Sequence, residues 1–211
     1  MSQTYSFQSP KEEYYNFLTH GVGAVMSVFG LFFLIIKVNQ PSFLNYFSVC
    51  LYGGSMILLF SASSIYHYVT NETLKRGLRK LDHISIYYLI AGTYTPMTLL
   101  LLREKNGFLI FGIVWTMAIL GTFLKLFYTG KWEKLSLAIY LIMGWLIVFN
   151  IHNLWEVANF NALLYLGLGG AFYSIGAFFY AKHSIKYNHV IWHVFVLLGA
   201  FFHYLMVLEV I

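Results

Sequence analysis

The sequence predicts an all-α, polytopic membrane protein: a seven-transmembrane helix bundle over residues 1–211, with the N-terminus cytoplasmic and the C-terminus outside. Three observations carry this reading. Hydrophobic residues make up 59% of the chain and charged residues only 10%, whereas a soluble domain carries roughly 25% charged side chains. Apolar runs of helix length recur seven times, and none shows the period-2 alternation of a barrel strand. Of the 13 Lys and Arg, ten fall on one side of the alternating spans, the asymmetry that marks the cytoplasmic face.

The elements follow in order. The opening stretch has neither the basic n-region nor the apolar h-region of a cleavable signal, and residues 1–17 read as a short cytoplasmic segment. The spans are expected at 18–36, 43–66, 84–102, 107–124, 135–151, 162–181 and 190–208. Thr93-Tyr94-Thr95-Pro96 predicts a kink in the third, because proline removes a helix donor. The fifth is the shortest before its polar end at Asn150, His152 and Asn153. In the sixth, Gly167 with Ala171 and Gly170 with Ser174 stand four apart, a spacing that suits close helix packing. On the basic side lie Lys11, then Lys75, Arg76, Arg79 and Lys80 in the loop after span two, then Lys125, Lys131, Lys134, Lys182 and Lys186. Lys37, Arg103 and Lys105 lie opposite. The excess positive charge therefore encodes orientation, and no nucleic-acid partner is expected. This orientation is the reverse of a G-protein-coupled receptor's. The single cysteine, Cys50, excludes an internal disulfide and a thiolate metal cluster.

Lipid penalises ionisable groups, so those near a span are candidates for function. Threaded through this topology, His67 ends span two, Asp82 opens span three, and His189 and His193 open span seven, all at the cytoplasmic side. His189 and His193 are four apart and share a helix face. With His67 they offer three nitrogen ligands, and three protein ligands plus water is the pattern of catalytic zinc. Asp82, the chain's only aspartate, is either a fourth ligand or the group that holds the water and accepts its proton. Ser63, one turn before His67, can hydrogen-bond a water or an oxyanion. Glu13, Asn16 and His20 form a polar stripe that Thr19 flanks and Gly23 continues. The stripe is an ordinary interfacial one, or it supports the metal site from behind or acts as a cytoplasmic latch. His203 lies roughly 15 Å further along its helix than His193 and cannot join that site. His83, His152 and His183 are also left outside it.

These motifs resemble a known family. Glu13-x-x-Asn16-x-x-Thr19-His20-x-x-Gly23, Ser63-x-x-x-His67, Leu81-Asp82-His83 and His189-x-x-x-His193 occur in the order and topology of the haemolysin III branch of the progestin and adipoQ receptor (adiponectin receptor-like) family. The resemblance extends across all seven spans. It implies zinc held by His67, His189 and His193, with Asp82 and Ser63 around the water on the ion, and a cytoplasmic N-terminus. The wider group includes alkaline ceramidases, which implies hydrolysis of lipid amides. The long N-terminal segment of the hormone receptors is missing here, which favours a short, bacterial-type member in the plasma (inner) membrane without a protein hormone ligand.

Three functions are expected, in this order. The first is a zinc-dependent hydrolase of a ceramide-like amide or an ester, with Asp82 as base, Ser63 as oxyanion donor and a fatty acyl chain held between apolar helices. The second is a non-enzymatic membrane sensor or lipid-homeostasis protein with structural zinc. The third is a pore-forming haemolysin.

Overall fold

Among the described residues are seven helical spans long and apolar enough to cross a membrane, and no strand. The computed structural model describes residues 8–211. The helices are α1 (Pro10–Lys37), α2 (Phe43–Tyr68), α3 (Glu72–Pro96), α4 (Gly107–Tyr128), α5 (Glu133–Trp145), α6 (Ile151–Val157), α7 (Phe160–Ala181) and α8 (Asn188–Val210). A π-turn at Met97–Leu101 prolongs α3, and a 3₁₀ turn at Leu146–Asn150 joins α5 to α6 within the fifth span. α3 is the central and most buried span, while α5 touches α3, α4 and α7 only sparsely. Large side chains such as Phe29, Phe32, Phe127 and Phe149 cover the exposed faces, as expected of a multi-pass membrane protein whose outer solvent is hydrocarbon.

Three boundaries differ from the sequence reading, each for a local reason. α1 starts at Pro10, within the expected cytoplasmic segment. Ser9 and Glu12 close a capping box there, and proline sits in the first turn, where its missing N–H costs nothing. The first seven residues of that segment lie outside the described residues. α3 starts at Glu72, because Asn71 caps it by accepting from the Leu74 amide at 3.0 Å. Lys75, Arg76, Arg79 and Lys80 are thus helical, not loop. The fifth span breaks after Trp145, where the Tyr94 hydroxyl donates to the Gly144 carbonyl at 3.0 Å and accepts from the Ile147 amide at 2.9 Å.

The expected disturbance at Pro96 is present as the π-turn. Thr93, Thr95 and Thr98 return their hydroxyls to the carbonyls of Leu89, Ala91 and Tyr94. The small-residue pattern of α7 is corrected. Gly167 and Ala171 are exposed, and a Cβ on Gly167 would meet nothing within 4 Å. The close approaches occur at Gly169, against His203, and at Gly176, against Trp192 and Phe195. Gly170 and Ser174 face α5 instead, where Ser174 accepts from the Trp145 indole at 3.1 Å.

Candidate functional site

The site forms at the end of the bundle that holds the start of α1, the end of α2 and the start of α3 and α8. His67, one residue before the end of α2, and His189 and His193, in the first two turns of α8, bring one ring nitrogen each to within 4.8 Å of one another. The ring centroids stand 4.7–5.2 Å apart. The histidines therefore come from two helices that share few direct contacts, with α1 packed against both.

α1 sets the rings. Glu13 Oε2 accepts from His67 Nδ1 at 2.7 Å and from the Lys75 ammonium at 3.1 Å. A carboxylate can only accept, so the proton of His67 sits on Nδ1, and Nε2 keeps its lone pair. That Nε2 is buried and meets no partner in the protein, as is His189 Nε2. Thr19 donates to the Tyr15 and Asn16 carbonyls, which leaves its oxygen facing His193 Nδ1 at 3.4 Å. His20 stacks flat on His193, with centroids 3.6 Å apart and planes at 6°, and fixes the plane of that ring. Asn16 donates to Gln8 beneath this stack. Gly23 completes the stripe for a packing reason: a Cβ there would stand 2.7 Å from Leu197 on α8 and 2.9 Å from Phe60 on α2. The donor set fits a metal ion. Two of the three imidazoles are oriented from behind, His67 by a carboxylate and His193 by a hydroxyl, an arrangement that fixes a ligating histidine's tautomer and raises its basicity.

Asp82 is buried ten residues into α3 but is not one of the three side chains that share a ligand position. It stands against Ser63, whose buried hydroxyl finds no well-formed hydrogen bond. Ser63 precedes His67 by one turn, so this pair lies roughly 6 Å deeper along α2 than the histidine. Asp82 and His20 also line the head of a partly open apolar cavity of about 100 Å³. Along α3, Asp82, Ile86, Leu89, Thr93 and Met97 line it on one helical face.

Two features escaped the sequence reading. Lys75, counted there only as an orientation charge, is buried, pairs with Glu13 and lies 5.0 Å from the Tyr66 ring centroid. The helix-capping pattern Asn71-Glu72 was the signal that could have found it, since a helix from residue 72 puts Lys75, Arg79 and Asp82 on one face. The other feature is a charged knot beside Asp82. Glu133 of α5 holds Lys125 of α4 at 2.6 Å and Arg79 of α3 at 3.4 Å, with His83 Nδ1 at 3.5 Å. His152 and His183 are exposed, and His203 meets the Leu166 carbonyl at 3.3 Å, away from His67, His189 and His193.

The chain is similar to known proteins over most of its length. The family model described as "Haemolysin-III related" matches residues 8–204. The chain is 41% identical over 196 residues to "Hemolysin-3" of Bacillus cereus, covering 92% of this chain and 89% of that one. It is 40% identical over 191 residues to the "Hemolysin-3 homolog" of Bacillus subtilis, covering 90% of each. A weaker match, 31% over 165 residues, covers 73% of this chain and 66% of the human "Monocyte to macrophage differentiation factor". From the extent of these matches and the seven apolar helices, the chain belongs to the haemolysin-III-related family of multi-pass membrane proteins.

Proposed function

We propose that this protein is a zinc-dependent hydrolase of a lipid amide or ester that works from the cytoplasmic leaflet of a bacterial inner membrane. One observation carries the reading. Two buried imidazole nitrogens, on His67 and His189, have no partner in the protein and share a point with His193 near the head of an apolar cavity. Burying polar atoms unpaired is costly, so their convergence favours an ion as the partner. When bound, zinc supplies a Lewis acid that polarises a carbonyl and brings the pKa of water to about 7.

The chain's own residues do the rest. His67, His189 and His193 hold the ion, while Glu13 and Thr19 hold two of the rings. The acyl chain lies in the cavity beside α3, which brings its carbonyl to Asp82 and Ser63 at the head. Asp82 takes the proton of the attacking water and returns it to the leaving group. Ser63 donates to the oxygen on which negative charge develops. The apolar walls exclude bulk water from the carbonyl.

The test is turnover. Purified protein is incubated in bilayers with ceramides, other lipid amides and phospholipid esters, with and without a zinc chelator. Chelator-sensitive cleavage by the wild type, lost in Asp82→Asn while zinc is retained, is the expected result. Ser63→Ala should slow cleavage by roughly ten- to a thousand-fold. A second reading, a sensor with structural zinc, draws on the contacts of Glu13 with Lys75 and of His20 with His193, which fasten α1 to α3 and α8 around the site. It replaces the first if the zinc-loaded wild type cleaves no member of the panel.

A further inference from the structure

The deep end of the cavity carries polar groups that a hydrocarbon chain does not need. His203 of α8 and Tyr173 of α7 both line it, with ring centroids 5.3 Å apart. His203 Nε2 faces the Leu166 carbonyl at 3.3 Å. A carbonyl only accepts, so Nε2 carries the proton and Nδ1 is left as an acceptor. That Nδ1 is buried without a partner, and so is the Tyr173 hydroxyl. Both rings are wedged in place by glycines. A Cβ on Gly169 would stand 2.1 Å from His203, and a Cβ on Gly199 would stand 2.9 Å from Tyr173.

Resting on the acyl-chain reading of the cavity, we propose that His203 and Tyr173 form a binding site for a hydroxyl group carried partway along the lipid's hydrocarbon chain. A hydroxyl is the group that satisfies both at once, donating to His203 Nδ1 and accepting from the Tyr173 hydroxyl. A methylene can do neither, and a carboxylate would bring a charge into hydrocarbon. The geometry also sets the position. Ten residues of α8 separate His193 from His203, roughly 15 Å along the helix. The carbonyl, at Asp82 and Ser63, already stands roughly 6 Å along that path, which leaves about 9 Å. An extended alkyl chain advances roughly 1.25 Å per carbon, given C–C bonds of ~1.5 Å, which places the hydroxyl about seven carbons from the carbonyl. The ligand class is therefore a hydroxy-fatty acyl chain with its oxygen near mid-chain, not one hydroxylated beside its carbonyl.

The experiment measures displacement of a fluorescent fatty acid from the purified wild-type protein. The competitors are octadecanoic acid, the same acid hydroxylated at about carbon 8, and the same acid hydroxylated at about carbon 3. The mid-chain hydroxy acid should bind roughly ten-fold more tightly than the other two, the worth of one well-made hydrogen bond. Tyr173→Phe, which removes one oxygen and keeps the ring, should bring the three affinities together without weakening octadecanoic acid. His203→Leu should do the same. Equal affinities in the wild type, or a preference that survives in Tyr173→Phe, would overturn the hydroxyl site and leave the acyl cavity standing. If no fatty acid displaces the probe, the acyl reading of the cavity itself falls, and the hydroxyl site falls with it.

Discussion

At the scale of single residues, the site is governed by which nitrogen of each histidine carries a proton. Glu13 fixes this for His67, with Oε2 2.7 Å from Nδ1, and shares the same oxygen with Lys75. Glu13→Gln removes the negative charge that makes His67 a stronger donor to an ion and that pairs with Lys75. Zinc affinity should fall about ten- to a hundred-fold, the range seen when a partner behind a ligating histidine is lost. Competition with a graded chelator measures this, and an unchanged affinity would show that Glu13 serves only to pair Lys75. His67, His189 and His193 were legible in the sequence because a four-residue spacing and the depth of a span end are both one-dimensional quantities. The place of Asp82 was not. Whether it joins the ligands or stands behind them depends on how α3 rotates against α2, and the structure sets it outside the ligand group and against Ser63.

At the scale of helices, close approach is decided by which glycine faces a neighbour, not by glycine spacing. Gly92 of α3 lies against α2, where a Cβ would stand 2.1 Å from Ser55 Oγ and 3.4 Å from the Leu51 carbonyl. Gly167 has nothing within 4 Å. Gly92→Val should therefore destabilise the bundle by about 1–3 kcal/mol through overpacking, while Gly167→Ala should be neutral. Thermal unfolding in one detergent compares the two, and equal midpoints would contradict the α2–α3 contact. The seven spans were legible from hydropathy, and the Pro96 disturbance from the residue that causes it. The break after Trp145 was not, because its cause is Tyr94, some fifty residues earlier in the chain. The misread glycines of α7 share that origin: the partner that selects Gly169 is His203, on the next helix.

At the scale of the whole molecule, charge asymmetry and the proposed metal site belong to the same end of the bundle. The proposed orientation puts that end in the cytoplasm. Reporter fusions after Lys131 should read cytoplasmic, and fusions after Arg103 or at the C-terminus should read external. A cytoplasmic C-terminal reporter would contradict seven crossings. An ion at this end would couple α2 to α8, helices with few direct contacts of their own, and chelation should lower the thermal midpoint because the ion binds only the folded bundle. The zinc content of the purified protein, compared across wild type, His193→Ala and His203→Ala, tests the metal centre most directly. The wild type and His203→Ala should each carry about one zinc per chain, and His193→Ala should lose most of it, since two imidazoles hold zinc poorly against a chelator. Full zinc in His193→Ala, or none in a wild type purified without chelator, would contradict the assignment of the site.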